Sequence, residues 1–199
     1  MRLPESFYER TDVVKIARDL LGKSLFTQIN GMVTGGVIVE TEAYSWTERG
    51  CHAFQKRQTG RNAIMFARGG FAYVYLCYGI HHLFNVVTNV AGVPEAVLVR
   101  ALEPTHGIEE MRLRRNMHGA DRQLTSGPGK LTRALGIDRN WNGRFLLSDE
   151  IWIEDLQSKP ARRNIASGPR IGIDYAGADA ALPWRFWLKN NPWVSRISG

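Results

Sequence analysis

The sequence predicts a mixed α/β fold of the α+β class, with flanking helices and a curved, mostly antiparallel sheet. Segments of strand-forming residues follow one another along the chain, and the turns between them are too short for parallel crossovers. Asn30-Gly31 is the strongest short hairpin signal. Because 199 residues can bury a core without being divided, we expect a single domain over residues 1–199.

The N-terminal segment is predicted to form a helix followed by a hairpin. Thr11 is in position to cap a helix whose apolar residues recur at helical spacing, and Gly22 is in position to end it. Strands are then expected over residues 24–29 and 32–43, on either side of Asn30-Gly31.

The rest of the chain combines a long loop with further strands and two helices. Residues 45–70 are rich in Gly, Arg, Gln and Thr, which indicates an irregular functional loop. Pro128 in a first turn and Gly136 after a last turn mark one of the helices. The predicted elements are strands at 71–78, 82–89 and 95–102, helices at 108–116 and from about 126 to 136, and short strands around Ile151, Ile171 and residues 185–188.

Composition narrows the class of protein. The net charge is +7, from 26 Lys and Arg against 19 Asp and Glu, which favours a polyanionic partner, although many basic proteins bind no nucleic acid. Two cysteines, Cys51 and Cys77, cannot form a disulfide framework, and no CxxC or HxxH spacing indicates a metal site. No apolar run approaches the length of a membrane span, and the N-terminus lacks the apolar core of a secretion signal. We therefore expect a soluble cytoplasmic protein, or a nuclear one if the source is eukaryotic.

The segment GVIVETEAY carries the candidate general base. Side chains alternate across a strand, so Ile38, Glu40, Glu42 and Tyr44 are predicted to share one face, and the other face is predicted to be the core face. A carboxylate beside a tyrosine on a rigid strand is typical of a general base with a stacking ring next to it. For Glu-x-Glu alone, an exposed strand face with ordinary charges is the alternative reading.

An aromatic ribbon, FAYVYLCYGIHHLFNVVTN, is predicted to form a protruding hairpin. Tyr73 and Tyr75 lie on one predicted face, where such residues are most often core or cross-strand pairs. Tyr78 and Ile80 fall at the turn, where large apolar groups would be exposed without a partner. An exposed apolar tip indicates an interaction site, and wedges of this kind open base stacks in DNA.

Two polar residues within apolar strands need partners. Asn85, in LFNVVT, either bonds to the backbone or recognises a ligand, because an unpaired buried amide is unfavourable. Arg100, in AVLVRALEP, requires a buried carboxylate. Glu42 is the natural candidate, and Glu40 and Glu103 are the alternatives.

Two further segments bear on the site. The helix start SGPGKLTRALG could hold a phosphate with its first amides and Lys130, although a helix that opens at Gly-Pro is also a routine turn. The block ALPWRFWLKNNPWVS is predicted to close the core, so Trp184, Trp187 and Trp193 are left out of the predicted site.

With these residues in view, the chain resembles the alkyladenine or 3-methyladenine DNA glycosylase family, the type shared by mammals and many bacteria. The resemblance spans nearly the full length, and the blocks occur in order. They are FYERTDVVKIARDLLGKSLF, IVETEAY, HAFQKRQTGRNAIMF, YVYLCYGIHHLFNVVT, VLVRALEP, SGPGKLTRALGI, RIGIDYAG and PWRFWLKNNPWVS. The chain lacks the hairpin and following Asp of the helix-hairpin-helix glycosylases.

The resemblance implies a monofunctional glycosylase of base excision repair that needs no cofactor or metal. In such an enzyme Glu42 activates the water that attacks the sugar carbon, and Arg100 helps to hold that water. The flipped base stacks between Tyr44 on one side and His52 and Tyr75 on the other. The implied substrates are alkylated or deaminated purines in duplex DNA, such as 3-methyladenine, 7-methylguanine, hypoxanthine and ethenoadenine.

The resemblance also implies which residues contact the DNA. Tyr78 fills the gap that the base leaves, and Asn85 meets the 2-amino group of normal guanine. The other predicted DNA contacts are Ile80, Arg57, Arg61 and Lys130. We expect the protein to act as a monomer. A shorter loop between residues 44 and 52, and Ile80 with His81 at the tip, depart from the mammalian pattern and leave the range of lesions open.

Two other functions compete with this prediction. A basic module could grip single-stranded nucleic acid with its aromatic ribbon and perform no chemistry. Such a surface gains nothing from a carboxylate, so Glu42 with Arg100 favours the enzyme. A zinc deaminase also takes flipped bases, but the chain lacks the HxE and PCxxC ligands.

Overall fold

The computed structural model describes residues 1–118, 122–156 and 160–195. In these ranges the chain forms an eight-stranded antiparallel sheet and four α-helices, which confirms the predicted α+β class. The strands are β1 Ser24–Ile29, β2 Met32–Ser45, β3 Ala72–Cys77, β4 His81–Thr88, β5 Glu95–His106, β6 Ile151–Glu154, β7 Ile165–Gly168 and β8 Arg185–Leu188. The helices are α1 Glu5–Tyr8, α2 Val13–Asp19, α3 Ile108–Arg115 and α4 Pro128–Leu135.

Strand β2 is the centre of the sheet. The strand order is β3-β4-β5-β2-β1-β6, while β8 pairs with β2 beyond β1, and β7 pairs with β8. One edge of β2 therefore follows β5 from Gly35 to Ser45, and the other edge meets first β1 and then β8. The pairing with β5 shifts register around Glu40, which bends the strand there. This central position encloses the carboxylates that β2 carries.

The two faces of the sheet pack against different parts of the chain. Helices α2 and α4 contact β2, β4 and β5 over the main core. Residues that point into this core from the sheet include Val74, Val86 and Val97. Their chain neighbours point the other way, into a second cluster with the long loop, formed by Tyr73, Val87, Ala96, Cys51, Ala53 and Met65. The predicted loop over residues 45–70 therefore lies against the sheet, with 3₁₀ turns at Phe54–Lys56 and Ala63–Phe66.

Helix α2 is capped one residue later than the sequence predicts. Asp12, not Thr11, precedes the helix, and its Oδ1 accepts a hydrogen bond of 2.9 Å from the Lys15 amide. A carboxylate at this position reaches an amide that has no partner within the helix, which Thr11 would have to reach from one residue further away. Gly22 turns the chain after the helix with a φ of 83°.

Both predicted hairpins are present. Asn30 and Gly31 have φ values of 50° and 79°, as a two-residue hairpin turn requires. At the second hairpin Tyr78 and Gly79 have φ values of 50° and 73° and connect β3 to β4. The side chains of Tyr78 and Ile80 are 85% and 71% exposed, so the tip presents its apolar groups to solvent as predicted.

Of the predictions for the C-terminal half of the chain, those of the two helices are confirmed and that of one strand is wrong. Helices α3 and α4 lie where the sequence puts them, and Gly136 ends α4 with a φ of 71°. The strand predicted around Ile171 is wrong, because the strand is Ile165–Gly168 and Ile171 lies in the bend after it. The amide of Ile171 bonds to the Glu42 side chain instead of to a neighbouring strand. No helix in the described ranges is long and apolar enough to cross a membrane.

Candidate active site

An open cavity of about 610 Å³ lies beside β2, between the long loop, the β3–β4 hairpin and the start of α4. Most of the predicted site residues line it. They are Tyr44, His52, Arg61, Tyr75, Tyr78, Asn85, Arg100 and Lys130. Glu42 lies behind this lining, in contact with Tyr44 and Arg100. Arg57 and Ile80 are exposed and do not line the cavity.

The carboxylate of Glu42 is fully buried and held by donors from three directions. Its Oε2 accepts a hydrogen bond of 2.8 Å from the Tyr44 phenol, and its Oε1 accepts one of 2.8 Å from the Ile171 amide. Nη1 of Arg100 forms an ion pair with Oε1 at 3.2 Å. Such partners compensate the loss of water around a buried charge. The carboxylate is therefore fixed in place directly behind the lining of the cavity.

Arg100, on β5, pairs with two of its three candidate partners. Its Nε donates to Glu40 at 3.1 Å, while its Nη1 contacts Glu42. Glu103 instead accepts a hydrogen bond from Asn191 at 2.7 Å. Burial opposes the charged guanidinium, but the carboxylates of Glu42 and Glu40 outweigh it and raise the pKa of Arg100. Arg100 therefore stays charged next to the candidate base.

Both faces of β2 are buried, which excludes the exposed strand face that was the alternative reading of Glu-x-Glu. Glu40 and Thr41 are both fully buried although they point to opposite sides. Helix α2 covers the Thr41 side, where the hydroxyl donates to Ala17 O at 2.7 Å. The C-terminal segment covers the other side, where Glu40 accepts from Arg185 Nε at 2.7 Å and from the Ser195 amide at 2.7 Å. A central strand with cover on both faces shows no alternation of burial.

Tyr44 lines the cavity and also contacts the candidate base. Its hydroxyl donates to Glu42, and the guanidinium of Arg170 lies 4.8 Å from the ring centroid. Burial raises the pKa of Tyr44 well above its usual value, and the neighbouring charge of Glu42 raises it further. The phenol therefore remains a hydrogen-bond donor at neutral pH.

His52 and Tyr75 form another part of the aromatic lining. Their ring centroids are 4.7 Å apart at an angle of 71°, and Nδ1 of His52 lies 2.8 Å from the hydroxyl of Tyr73. Desolvation and then the charge of Arg61 lower the pKa of His52 to about 4. The imidazole is thus neutral at physiological pH, which suits a ring that stacks.

Asn85, on β4, is held by the backbone. Its Nδ2 donates to Tyr73 O at 3.0 Å, and only 4% of the residue is exposed. This bond confirms the first of the two roles weighed from the sequence. The same side chain lines the cavity, so recognition of a ligand stays a prediction.

The basic residues differ in their surroundings. The guanidinium of Arg61 lies 4.8 Å from the Tyr75 ring centroid and donates to Leu76 O at 3.4 Å, which places it at the rim of the cavity. Lys130, in the first turn of α4, donates to Gln123 at 2.7 Å. Arg57 is exposed at the end of a 3₁₀ turn. Of these three, Arg61 alone contacts an aromatic ring of the cavity.

Sequence reasoning missed a segment that completes the cavity. Arg170 lies against the Tyr44 ring, Ile171 lines the cavity and bonds to Glu42, and Tyr175 is a 68% exposed residue at the rim. The hydroxyl of Tyr175 donates to Gly50 O at 3.2 Å. The sequence predicts only a strand around Ile171 here, although an arginine before an Ile-Gly-Ile run is itself a sign of a buried cation that needs a partner.

Two of the three tryptophans of the C-terminal block pack against the core as predicted. Trp184 and Trp193 are partly buried against the main core. Trp187 lies under the guanidinium of Arg185, whose carbon is 4.6 Å from its ring centroid. Among the described residues no three His, Cys, Asp or Glu side chains come together as a metal site requires.

Known proteins match this chain over almost its whole length. The sequence profile of the methylpurine-DNA glycosylase family matches residues 6–192. A protein of Chlamydia felis named "Putative 3-methyladenine DNA glycosylase" is 47% identical over 188 residues, which cover 94% of this chain and 95% of that protein. A Bacillus cereus protein with the same name is 44% identical, and the match covers 98% of this chain and 100% of that protein. These matches confirm the resemblance, and the chain belongs to the methylpurine-DNA glycosylase family.

Proposed function

We propose that this protein flips alkylated or deaminated purines out of duplex DNA and hydrolyses the bond between base and sugar, leaving an abasic site. The observation that carries this proposal is the buried carboxylate of Glu42, fixed by Tyr44, Ile171 and Arg100 directly behind the aromatic lining of the cavity. A positioned carboxylate within reach of a water is the geometry of a general base.

The reaction assigns one role to each polar group. A water beside Glu42 loses a proton to the carboxylate as its oxygen bonds to C1′ of the sugar. The bond from C1′ to the purine nitrogen breaks, and its electron pair leaves with the base. The charge of Arg100 orients the water and limits the movement of Glu42. A cationic N-alkylated purine leaves without protonation, whereas a neutral purine takes a proton from solvent as it leaves.

The aromatic lining is suited to hold a flipped base. Tyr44, Tyr75 and the neutral ring of His52 offer π-faces to a purine, and extruded bases are commonly held by such stacking. A cavity of about 610 Å³ has room for a nucleotide. Cationic alkylated bases gain further from aromatic faces.

Around the mouth of the cavity, the surface is suited to duplex DNA. Tyr78 and Ile80 form an exposed apolar tip that can enter the base stack, and the net charge of +7 favours phosphate contact. Arg57 and Lys130 are the cations that we assign to phosphates.

We further propose that residues 1–199 act as one domain and as a monomer. All eight strands, from β1 near the N-terminus to β8 near the C-terminus, belong to one sheet, which supports the single domain.

Base excision is tested directly with the whole protein and defined duplexes. Each duplex carries a single hypoxanthine, ethenoadenine or 7-methylguanine, and abasic sites are revealed by alkali cleavage. The wild-type protein is expected to release at least one of these bases. Glu42→Gln is expected to slow release by about 10²–10⁴-fold, because loss of a general base has that effect. DNA binding is expected to change by no more than a few fold.

Glu103→Gln is the matched control for that experiment. Glu103 is a partly buried glutamate on β5 that bonds to Asn191, and it does not line the cavity. Its amide variant is expected to excise at the wild-type rate. Wild-type protein that binds DNA tightly yet leaves every lesion intact would instead favour the single-stranded binding module. Normal excision by Glu42→Gln would show that another residue is the base.

A further inference from the structure

We propose that the buried ion pair of Arg170 and Glu48 is a positioning device that sets the Tyr44 ring and the Glu42 carboxylate in their working geometry. This inference rests on the proposed function, because it assigns a role to residues that touch neither base nor water. The sequence analysis assigns no role in the site to either residue.

The two side chains form a bidentate ion pair that is almost completely buried. Nη1 and Nη2 of Arg170 donate to Oε1 and Oε2 of Glu48, each at 2.7 Å. The Arg170 side chain is 0% exposed and that of Glu48 is 3% exposed. Paired hydrogen bonds from one guanidinium to one carboxylate fix orientation as well as distance. Lysine, a point charge on a flexible stem, cannot reproduce this geometry.

Arg170 holds the strand segment that carries the candidate base. Besides Glu48, its Nη1 donates to Ala43 O at 2.9 Å. Ala43 lies between Glu42 and Tyr44, so this bond restrains the backbone from which both side chains leave. The same guanidinium lies 4.8 Å from the Tyr44 ring centroid, which restrains the ring that we assign to base stacking.

The residue after Arg170 contacts the candidate base. The amide of Ile171 donates to Oε1 of Glu42 at 2.8 Å. Because the two residues are neighbours in the chain, the bonds that hold the Arg170 side chain also restrain the backbone that carries this amide. The ion pair therefore acts on Glu42 by two routes, through Ala43 and through Ile171.

Glu48 extends the restraint to the other side of the cavity. Its Oε2 also accepts a hydrogen bond of 2.7 Å from the Gly50 amide. Gly50 lies two residues before His52, so the loop that carries this ring is tied to the same ion pair. A buried pair of this kind is weak evidence for added stability, because apolar residues of similar volume often stabilise a fold as well. Its contacts with the site are what distinguish it.

The test compares Glu48→Gln and Arg170→Lys with the wild-type protein on a hypoxanthine duplex. Excision is measured in a single turnover at saturating enzyme, and the rate is normalised to the DNA-binding sites found by stoichiometric titration. Both variants are expected to excise at least tenfold more slowly, since a displacement of about 1 Å in a catalytic group can lower the rate about 10²-fold. Their Kd for the lesion duplex is expected to stay within threefold of the wild-type value.

Glu110→Gln is the control, because Glu110 pairs with Arg114 at 3.0 Å on α3 and does not line the cavity. It is expected to keep the wild-type rate. Should Glu48→Gln fail to fold, Glu48→Asp retains the charge and shortens the side chain, and we expect the same slow excision with normal binding.

A second readout follows the base itself. Ethenoadenine is fluorescent, and stacking on Tyr44 should quench it in the wild-type complex. The quenching is expected to be weaker in Glu48→Gln and Arg170→Lys. Wild-type rates per binding site with unchanged quenching would overturn the inference and leave the proposed function intact. Wild-type protein that releases no base would overturn the proposed function instead.

Discussion

The phenolic oxygen of Tyr44 lies 2.8 Å from Oε2 of Glu42 and donates a hydrogen bond to it. One side chain therefore does two things: its ring lines the cavity, and its hydroxyl holds the candidate base. The raised pKa of Tyr44, caused by burial and then by the charge of Glu42, keeps the phenol protonated in this role.

Tyr44→Phe separates the two roles, because phenylalanine keeps the ring and removes the donor. We expect excision in a single turnover to slow by about tenfold or more, since a hydrogen bond to a charged group contributes about 1.5–3 kcal/mol. Binding of a lesion duplex should change little. Tyr44→Leu, which loses the ring as well, should excise more slowly than Tyr44→Phe and should bind the lesion duplex more weakly. Wild-type excision by Tyr44→Phe would mean that Ile171 and Arg100 suffice to hold Glu42.

Asn85→Ser tests whether this amide excludes normal guanine. Removing it should increase excision of guanine opposite a mismatched base, because contacts with such a substituent discriminate by about 1–3 kcal/mol. Hypoxanthine lacks the 2-amino group and is the internal control, so its release should rise far less. The measured quantity is the ratio of the two excision rates. An unchanged ratio would restrict Asn85 to its bond with Tyr73 O.

Tyr78→Ala tests the hairpin tip. Extruding a base costs a few kcal/mol, and a ring that refills the gap recovers part of that energy by stacking. A 2-aminopurine placed beside the lesion should therefore brighten less with this variant, and excision should slow most on stable base pairs. The Tm of the free protein should hardly change, because Tyr78 is 85% exposed. Equal brightening would transfer the role of wedge to Ile80.

Arg57→Ala and Arg61→Ala should differ, because Arg61 contacts the Tyr75 ring and Arg57 is exposed outside the cavity. Loss of a phosphate contact reduces the slope of log K against log salt by about 0.9. We expect Arg57→Ala to flatten that slope equally for plain and lesion duplexes. Arg61→Ala should in addition weaken the preference for lesion DNA. Identical behaviour of the two variants would make Arg61 a simple phosphate contact.

His52 should remain neutral across the physiological range. Desolvation and the charge of Arg61 lower its pKa to about 4, so the NMR signals of the ring should titrate near that pH. Arg61→Gln removes a positive charge that opposes protonation and should raise the midpoint. Any change in excision rate between pH 6 and 8 must then come from another group. A midpoint near 6.5 in the wild-type protein would contradict this account.

Part of the site could be predicted from the sequence, because a charged residue in a buried strand needs a partner of opposite charge. Arg100 in an apolar strand required a carboxylate, and Glu42 was the natural candidate. The sequence could not show that Glu40 shares the same guanidinium, because that depends on how β2 and β5 are aligned across a bulge. Nor could it place Ile171, which was predicted as a strand and instead lends its amide to Glu42.

The sequence by itself determined the features that depend on near neighbours along the chain. Asn30-Gly31 specified its hairpin, and Pro128 with Gly136 specified α4, because backbone conformation at turns and helix ends is set locally. The tertiary structure alone decided that both faces of β2 are buried. It also decided that the Ile171 amide bonds to the candidate base, since Ile171 lies 129 residues from Glu42 in the chain. Contacts over such separations follow from the packing of the whole sheet, which no local pattern records.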